Sequence, residues 1–162
     1  MVRLIAGGLI AIACAMIGMA IRRHYNLRKE TYSTLAEFTS YLSGEISYLK
    51  TTVIDAVNGF CSGKKNSVHN SLLAYSEVLK IGKADDFIPD LAGLNNGEKQ
   101  QVGRFLNSLG KKPIDETLNE IKRNAQIFEE LKTKSENEAK KLGNMYFKLS
   151  VLVGLAVMLI LA

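Results

Sequence analysis

Histidine, cysteine and proline each occur only twice in the 162 residues. So few imidazoles and thiols exclude most metal and nucleophilic chemistry at once. Cys14 and Cys61 lie far apart with no His or Cys beside them, which fails every zinc spacing. Cys14 also falls inside an apolar run suited to a bilayer, so no disulfide is expected and both thiols read as small apolar fillers. His24 sits among arginines, and His69 lies near the start of a helix without a Cys, His or Asp arranged around it; each reads as a solvated side chain. A Walker loop, a Gly-x-Ser-x-Gly elbow, a His-Glu-x-x-His pair and a Gly-x-Gly-x-x-Gly turn are all missing. Asp85, Asp86 and Asp90 cluster on a turn, but they lack the glycine and terminal glutamate of a calcium loop and read as capping and solvated groups. The expectation is therefore a protein that is not an enzyme and that needs neither cofactor nor metal.

What the chain does have is an uneven distribution of apolar residues. The overall hydrophobic fraction of 47% against 23% charged is ordinary, yet the apolar residues gather at Leu4 to Ile21 and at Leu149 to Ala162. Basic residues follow the same logic. The net charge of +5 does not collect with aromatics on one surface, as nucleic-acid binding requires; Arg22, Arg23, Arg28 and Lys29 follow the first run, and Lys140, Lys141 and Lys148 precede the second. No nucleic-acid partner is expected.

Leu4 to Ile21 carries no charge and is about long enough to cross a hydrocarbon core, with Arg3 and Arg22 as polar stops. A cleaved signal peptide is the competing reading, given Arg3 and Ala13-Cys14-Ala15, but the apolar run continues through Met16, Ile17, Met19, Ala20 and Ile21, which a cleaved leader does not need. The same continuation argues against a lipoprotein site at Cys14. Leu149 to Ala162 spans only 14 residues; Met145, Tyr146 and Phe147 extend it by a turn, and Lys148 can snorkel. Basic residues border both spans on their inner sides, which puts the central segment in the cytoplasm. Gly7 or Gly8, Ala11, Ala15 and Gly18 recur along one side of the first span, and Gly154 with Ala156 offers a surface for it on the second.

Between the spans the periodicity is helical throughout. Leu35, Phe38, Leu42, Ile46 and Leu49 form one stripe, and Thr52 with Asp55 caps a short helix through Ile54, Val57 and Phe60. Val68, Leu72, Tyr75, Val78 and Leu79 form the next, stopped at Gly82; a short helix fits around Asp85 to Leu91. Asn96 caps a helix through Phe105 and Leu106 that Gly110 closes. Pro113 then opens a long helix striped by Ile114, Leu118, Ile121, Ala125, Phe128, Leu131 or Lys132, Ser135, Ala139, Leu142 and Met145, running into the second span. The predicted fold is all-α, with an N-terminal transmembrane helix (1–21), a cytoplasmic helical bundle (22–144) and a C-terminal transmembrane helix (145–162), the two spans forming a hairpin. Lys111, Lys112, Asp85 and Asp86, placed in turns at the far end of that bundle, are the candidate partner contacts.

The layout resembles the stage III sporulation protein AB family of spore-forming Firmicutes over nearly the whole chain. The likeness rests on Ile21-Arg22-Arg23 ending the first span, Glu45-Ile46 in the helix after it, Phe105-Leu106-Asn107-Ser108-Leu109-Gly110, and Met145-Tyr146 opening the last span. The chain departs from the family after Gly110, where Lys111, Lys112, Pro113 and Thr117 replace a small polar residue, an Asp and a Gln. The resemblance implies a component of the channel-like apparatus joining mother cell and forespore, in the mother-cell membrane around the forespore. Its cytoplasmic domain would be similar to the platform protein domain of type II secretion and type IV pilus systems. Implied partners are a secretion-type cytoplasmic ATPase, stage III sporulation protein AA, and other stage III sporulation membrane proteins, with a homo-oligomer also open. A general membrane-tethered adaptor or receptor unrelated to sporulation, and a membrane enzyme with an unfamiliar site, are the competing classes; a convergent polar pocket would mark the last.

Overall fold

A computed structural model describes residues 2–82, 86–109, 111 and 113–161. Among them there is no strand. Among the described residues six α-helices follow one another: α1 (Val2–Gly44), α2 (Val53–Cys61), α3 (Ser67–Lys80), α4 (Asn96–Ser108), α5 (Ile114–Glu138) and α6 (Asn144–Leu161). A π-helical turn ends α1 at Glu45–Leu49, and another joins α5 to α6 at Ala139–Gly143. The chain divides into two compact units, residues 30–132 and residues 1–29 with 133–162.

The unit of residues 30–132 is a small helical bundle. Its core takes Tyr32, Leu35, Phe38, Leu42 and Ile46 from α1, Val57 and Phe60 from α2, Val68, Leu72 and Tyr75 from α3, Val102, Phe105 and Leu106 from α4, and Ile121 and Phe128 from α5. Each such side chain contributes about 1.5–3 kcal/mol through burial, so the interlocked stripes, more than helix propensity, hold the unit together. Phe60 lies 5.3 Å from Phe38 and Phe105 lies 5.7 Å from Phe128, ring centroid to centroid. Tyr75, fully buried, donates its hydroxyl to Leu106 O at 2.6 Å; burial pushes its pKa up to about 12, so it stays a neutral donor.

Caps set the helix boundaries. Thr52 accepts from Asp55 N at 3.2 Å, the cap expected from the sequence, but Asp55 Oδ2 takes the Thr52 hydroxyl at 2.6 Å instead of the Thr52 backbone N–H, so the capping box is only half formed. The cap of α4 is Asn95, one residue before the expected Asn96, because only from position 95 does Glu98 fall at the third helical residue and bond back to the cap N–H. Residues 87–91 are not helical as expected. Here backbone groups bond to side chains instead: Ser67 and Ser71 hydroxyls donate to Asp90 O at 3.0 and 2.6 Å, Ser67 Oγ accepts from Ala92 N, and Thr31 donates to Ala92 O at 2.7 Å. The segment lies so close to α4 that a Cβ on Gly103 would sit 2.7 Å from Phe87 O.

In the unit of residues 1–29 and 133–162, α1 and α6 pack antiparallel. A Cβ built at Gly7 would meet Met158, at Gly18 it would meet Ser150 and Phe147, and at Gly154 it would come within 3.1 Å of Ala11 Cα. The helix backbones touch where small residues allow it. Gly7, Ala11, Cys14 and Gly18 form this seam with Gly154 and Ser150; Ala15, on the same side as Ala11 and Gly18, is half-buried, whereas Ala156, expected on the seam, is exposed. Further along, Arg28 pairs with Glu138 at 3.9 Å and Ser135 is buried, which accounts for the polar turn of the stripe near Ser135.

Two departures from the expected stripes share one cause. Leu49 is 68% exposed, and Gly143 and Phe147 face the seam where Leu142 and Met145 were expected. Each π turn inserts an extra residue, which rotates every later side chain by about 100° relative to an unbroken α-helix. Ile114, at the start of α5, is also exposed, because it precedes the first turn that reaches the core.

Gly103→Ala should lower the stability of the protein by about 1–3 kcal/mol, since the carbonyl of Phe87 belongs to a pinned backbone that cannot give way. Denaturant midpoints of the wild-type and variant proteins check this; equal midpoints would show the segment to be free to move.

Candidate functional site

The four residues singled out as partner contacts are divided by the structure. Asp86 and Lys111 are exposed. Asp85 and Lys112 lie outside the described residues. Asp90, the third carboxylate of that turn, is engaged by Lys99 Nζ at 2.8 Å. Among the described residues no three His, Cys, Asp or Glu side chains converge in a way that could hold a metal ion.

One grooved surface of the bundle lies where α4 meets α5. An open groove of about 540 Å³ runs between them, with Gln101 and Arg104 on one wall and Glu116, Asn119 and Arg123 on the other. Phe105 forms part of its lining, and its ring meets Phe128 of α5 edge-on, so apolar contact fixes the two helices beneath a polar mouth. Asn119, Arg123 and Ile127 recur at four-residue spacing and so share one side of α5. Arg104 and Arg123 are both exposed. A guanidinium so placed can donate two parallel hydrogen bonds to a carboxylate, and with Glu116 and Glu120 also lining the groove its mouth carries both signs of charge, suited to a polar surface. Sequence periodicity misses these residues because it marks the buried side of each helix; the available signal was the pairing of polar Asn119 and Arg123 on the face opposite the core stripe.

A second groove, of about 530 Å³, is lined by Ser67, Ser71, Phe87 and Ile88 among others. Both serine hydroxyls donate to Asp90 O, so they serve the backbone of the 86–95 segment. Ile88 is left 58% exposed at the rim.

His69 corrects the sequence reading: it is 4% exposed, not solvated. Its ring stacks on Phe60 at 5.1 Å. Nδ1 lies 2.6 Å from Asn66 Oδ1, an acceptor, so Nδ1 carries the proton; Asn66 Nδ2 in turn donates to Thr34 Oγ1, whose hydroxyl donates to Glu30 O. Nε2 is then a buried lone pair with no partner. Burial first, and the Lys64 charge second, hold the imidazole pKa below its ordinary 6.5, with Glu37 opposing. Cys61 is buried beside it, donates to His69 O at 3.6 Å, and has its thiol pushed up to about 11 by burial, against the pull of Lys64. Such a thiol is inert.

The sign of the resulting pH dependence follows from His69. Its neutral form is favoured in the folded protein, so below about pH 6.5 the unfolded chain takes up a proton that the folded one refuses, and stability falls with falling pH. The denaturant midpoint should drop between about pH 7.5 and pH 5.5, and His69→Gln should reduce that drop. An identical drop in the variant would assign the acid sensitivity to other groups.

Comparison with known proteins adds one positive result. The searches of curated proteins and of solved structures each return no match. The family model for stage III sporulation protein AB matches residues 3–162. The match takes in both long apolar helices and the whole bundle between them, and on that basis the chain belongs to the stage III sporulation protein AB family.

Proposed function

We propose that the protein is a non-enzymatic membrane platform of the sporulation channel apparatus between mother cell and forespore. It is anchored by α1 and α6 and engages a secretion-type cytoplasmic ATPase, stage III sporulation protein AA, together with other stage III membrane proteins. Family membership over residues 3–162 is the observation that carries the reading, since it supplies the sporulation context for the entire layout. Two helices long and apolar enough to cross a membrane support the anchoring. Their outer faces expose Leu9, Ile12, Met16, Leu152, Val153 and Leu159, an apolar surface that water would not favour and lipid would. Basic residues at the inner ends of both spans favour a cytoplasmic location for residues 30–132.

The α4–α5 groove is the docking surface in this reading, with Arg104 and Arg123 taking carboxylates of the ATPase and Lys111 adding positive charge in the turn between the two helices. Arginine is among the residues that dominate interfaces, and reversing two of them removes attraction and adds repulsion. Recovery of the ATPase with the tagged protein from sporulating cells should fall about tenfold or more in Arg104→Glu/Arg123→Glu, and less in Lys111→Glu/Lys112→Glu. Unchanged recovery in the arginine variant would remove the groove from the interface. Failure of the wild-type protein to recover the ATPase, or its release from membranes by alkaline carbonate, would remove the platform itself.

A further inference from the structure

Residues 1–29 contain no acidic side chain, and neither do residues 139–162. Where these two segments approach, Glu138 is paired with Arg28 and Glu136 lies one turn before Lys140. Arg22, Arg23, Lys29, Lys140, Lys141 and Lys148 are the other cations of this stretch. Gly143 has no side chain, and a Cβ built there would lie 3.7 Å from Arg22 Cγ and 3.8 Å from Tyr25 Cβ, so α1 and the π turn are in direct contact at this level. The contact brings Arg22 and Arg23 of α1 to the same height as Lys140 and Lys141 of the turn, and all four are exposed. Among the described residues none of them has a carboxylate within ion-pair distance. Arg22 is further held by Phe147, whose ring centre lies 5.9 Å from the guanidinium carbon, so its charge is anchored on the neighbouring helix instead of ranging freely.

Like charges gathered on two packed helices repel one another, and where none of them is in ion-pair distance of a carboxylate an anion from outside is favoured. The apolar seam that begins at Gly18 and Phe147 fixes which anion. One turn away from this collar the surface becomes the exposed hydrocarbon of Ile17, Met19, Leu149 and Leu152, which only acyl chains would cover. Tyr146, 40% exposed at the same level, suits the boundary between headgroup and hydrocarbon. We infer that Arg22, Arg23, Lys140 and Lys141 form a collar that binds the phosphates of anionic phospholipid headgroups, so that the protein selects anionic lipid around its hairpin. This rests on the reading of α1 and α6 as membrane spans.

The test uses the full chain reconstituted into vesicles of phosphatidylcholine and phosphatidylglycerol in equal parts, then extracted in mild detergent and weighed intact by mass spectrometry. The wild-type protein should retain phosphatidylglycerol over phosphatidylcholine by about tenfold or more, and less as salt is raised. Arg22→Gln/Arg23→Gln/Lys140→Gln/Lys141→Gln should bring the ratio close to equality, while Arg22→Lys/Arg23→Lys/Lys140→Arg/Lys141→Arg should keep it. Should the fourfold neutral variant fail to insert, the two pairs neutralised separately, all at exposed positions, should each lower the ratio part of the way. Equal retention by the wild-type protein overturns the inference, as does a preference that survives neutralisation. Displacement of the lipid by inorganic phosphate at matched ionic strength overturns it too, since the collar would then be a site for a soluble anion. Carbonate extraction of the same vesicles separates the two readings: a protein that washes off ends the membrane reading as well, whereas one that stays without lipid preference ends only the collar.

Discussion

Contact between two helix backbones at Gly18 and Gly154 is the constraint on which the hairpin rests. A Cβ at Gly18 would overlap Ser150 at 2.8 Å, and one at Gly154 would press on the Ala11 backbone. In a lipid setting two apolar helices gain nothing by hiding hydrocarbon from water, because the surrounding chains are as apolar as they are; what remains is dispersion between surfaces that fit. Glycine and alanine supply that fit by letting main chains approach, and the large side chains Leu9, Ile12, Met16, Leu152 and Leu159 are displaced to the outside. The same small-residue contact continues to Gly143, where it meets the basic collar, so the site proposed for lipid phosphates is a consequence of how closely the hairpin closes.

The bundle of residues 30–132 is held by a different physics. Its stripes are buried against one another in a setting where water drives the burial, and its irregular segment is fixed by polar bonds. Thr31, Ser67 and Ser71 spend their hydroxyls on the carbonyls of Asp90 and Ala92, and Tyr75 spends its own on Leu106. Each satisfies a backbone group that no helix would satisfy there, which a buried loop requires. By pinning residues 87–92 beside Gly103, these bonds fix one side of α4, and the contact of Phe105 with Phe128 fixes its other side against α5. The α4–α5 groove is therefore rigid by construction, although its walls are polar and exposed.

The fold was largely legible because it is written in periodicities of three and four. The stripes of α3 and α4, the Thr52 cap, the stop at Gly82 and the long helix after Pro113 all stand where the residues place them. What failed to read correctly failed for nameable reasons. A π turn leaves no mark in composition, so the register slips at Leu49 and at Gly143 were invisible, and the second of these moved the seam from Leu142 and Met145 to Gly143 and Phe147. The 87–91 segment looked helical because its acids suit a helix start, while the serines that claim its carbonyls lie about twenty residues away. His69 looked solvated because burial of a lone imidazole depends on Phe60 and Asn66, which lie beyond the reach of any spacing rule.

The candidate site was the least legible part, and the reason bears on how this protein works. Catalytic sites announce themselves in sequence because chemistry demands particular residue types at fixed separations. A docking surface makes no such demand: it needs a stable platform, a few side chains with directional bonding and a shape, and these can come from any exposed positions on rigid helices. Asp86 and Lys111 stand out in the sequence only by their place in turns at the far end of the bundle, which says nothing about shape. Arg104 and Arg123 emerge only once α4 and α5 are seen to run beside each other with Phe105 between them. If the protein acts by holding partners in place, its functional residues should be found where two well-packed helices leave a polar cleft, and the α4–α5 groove is such a place.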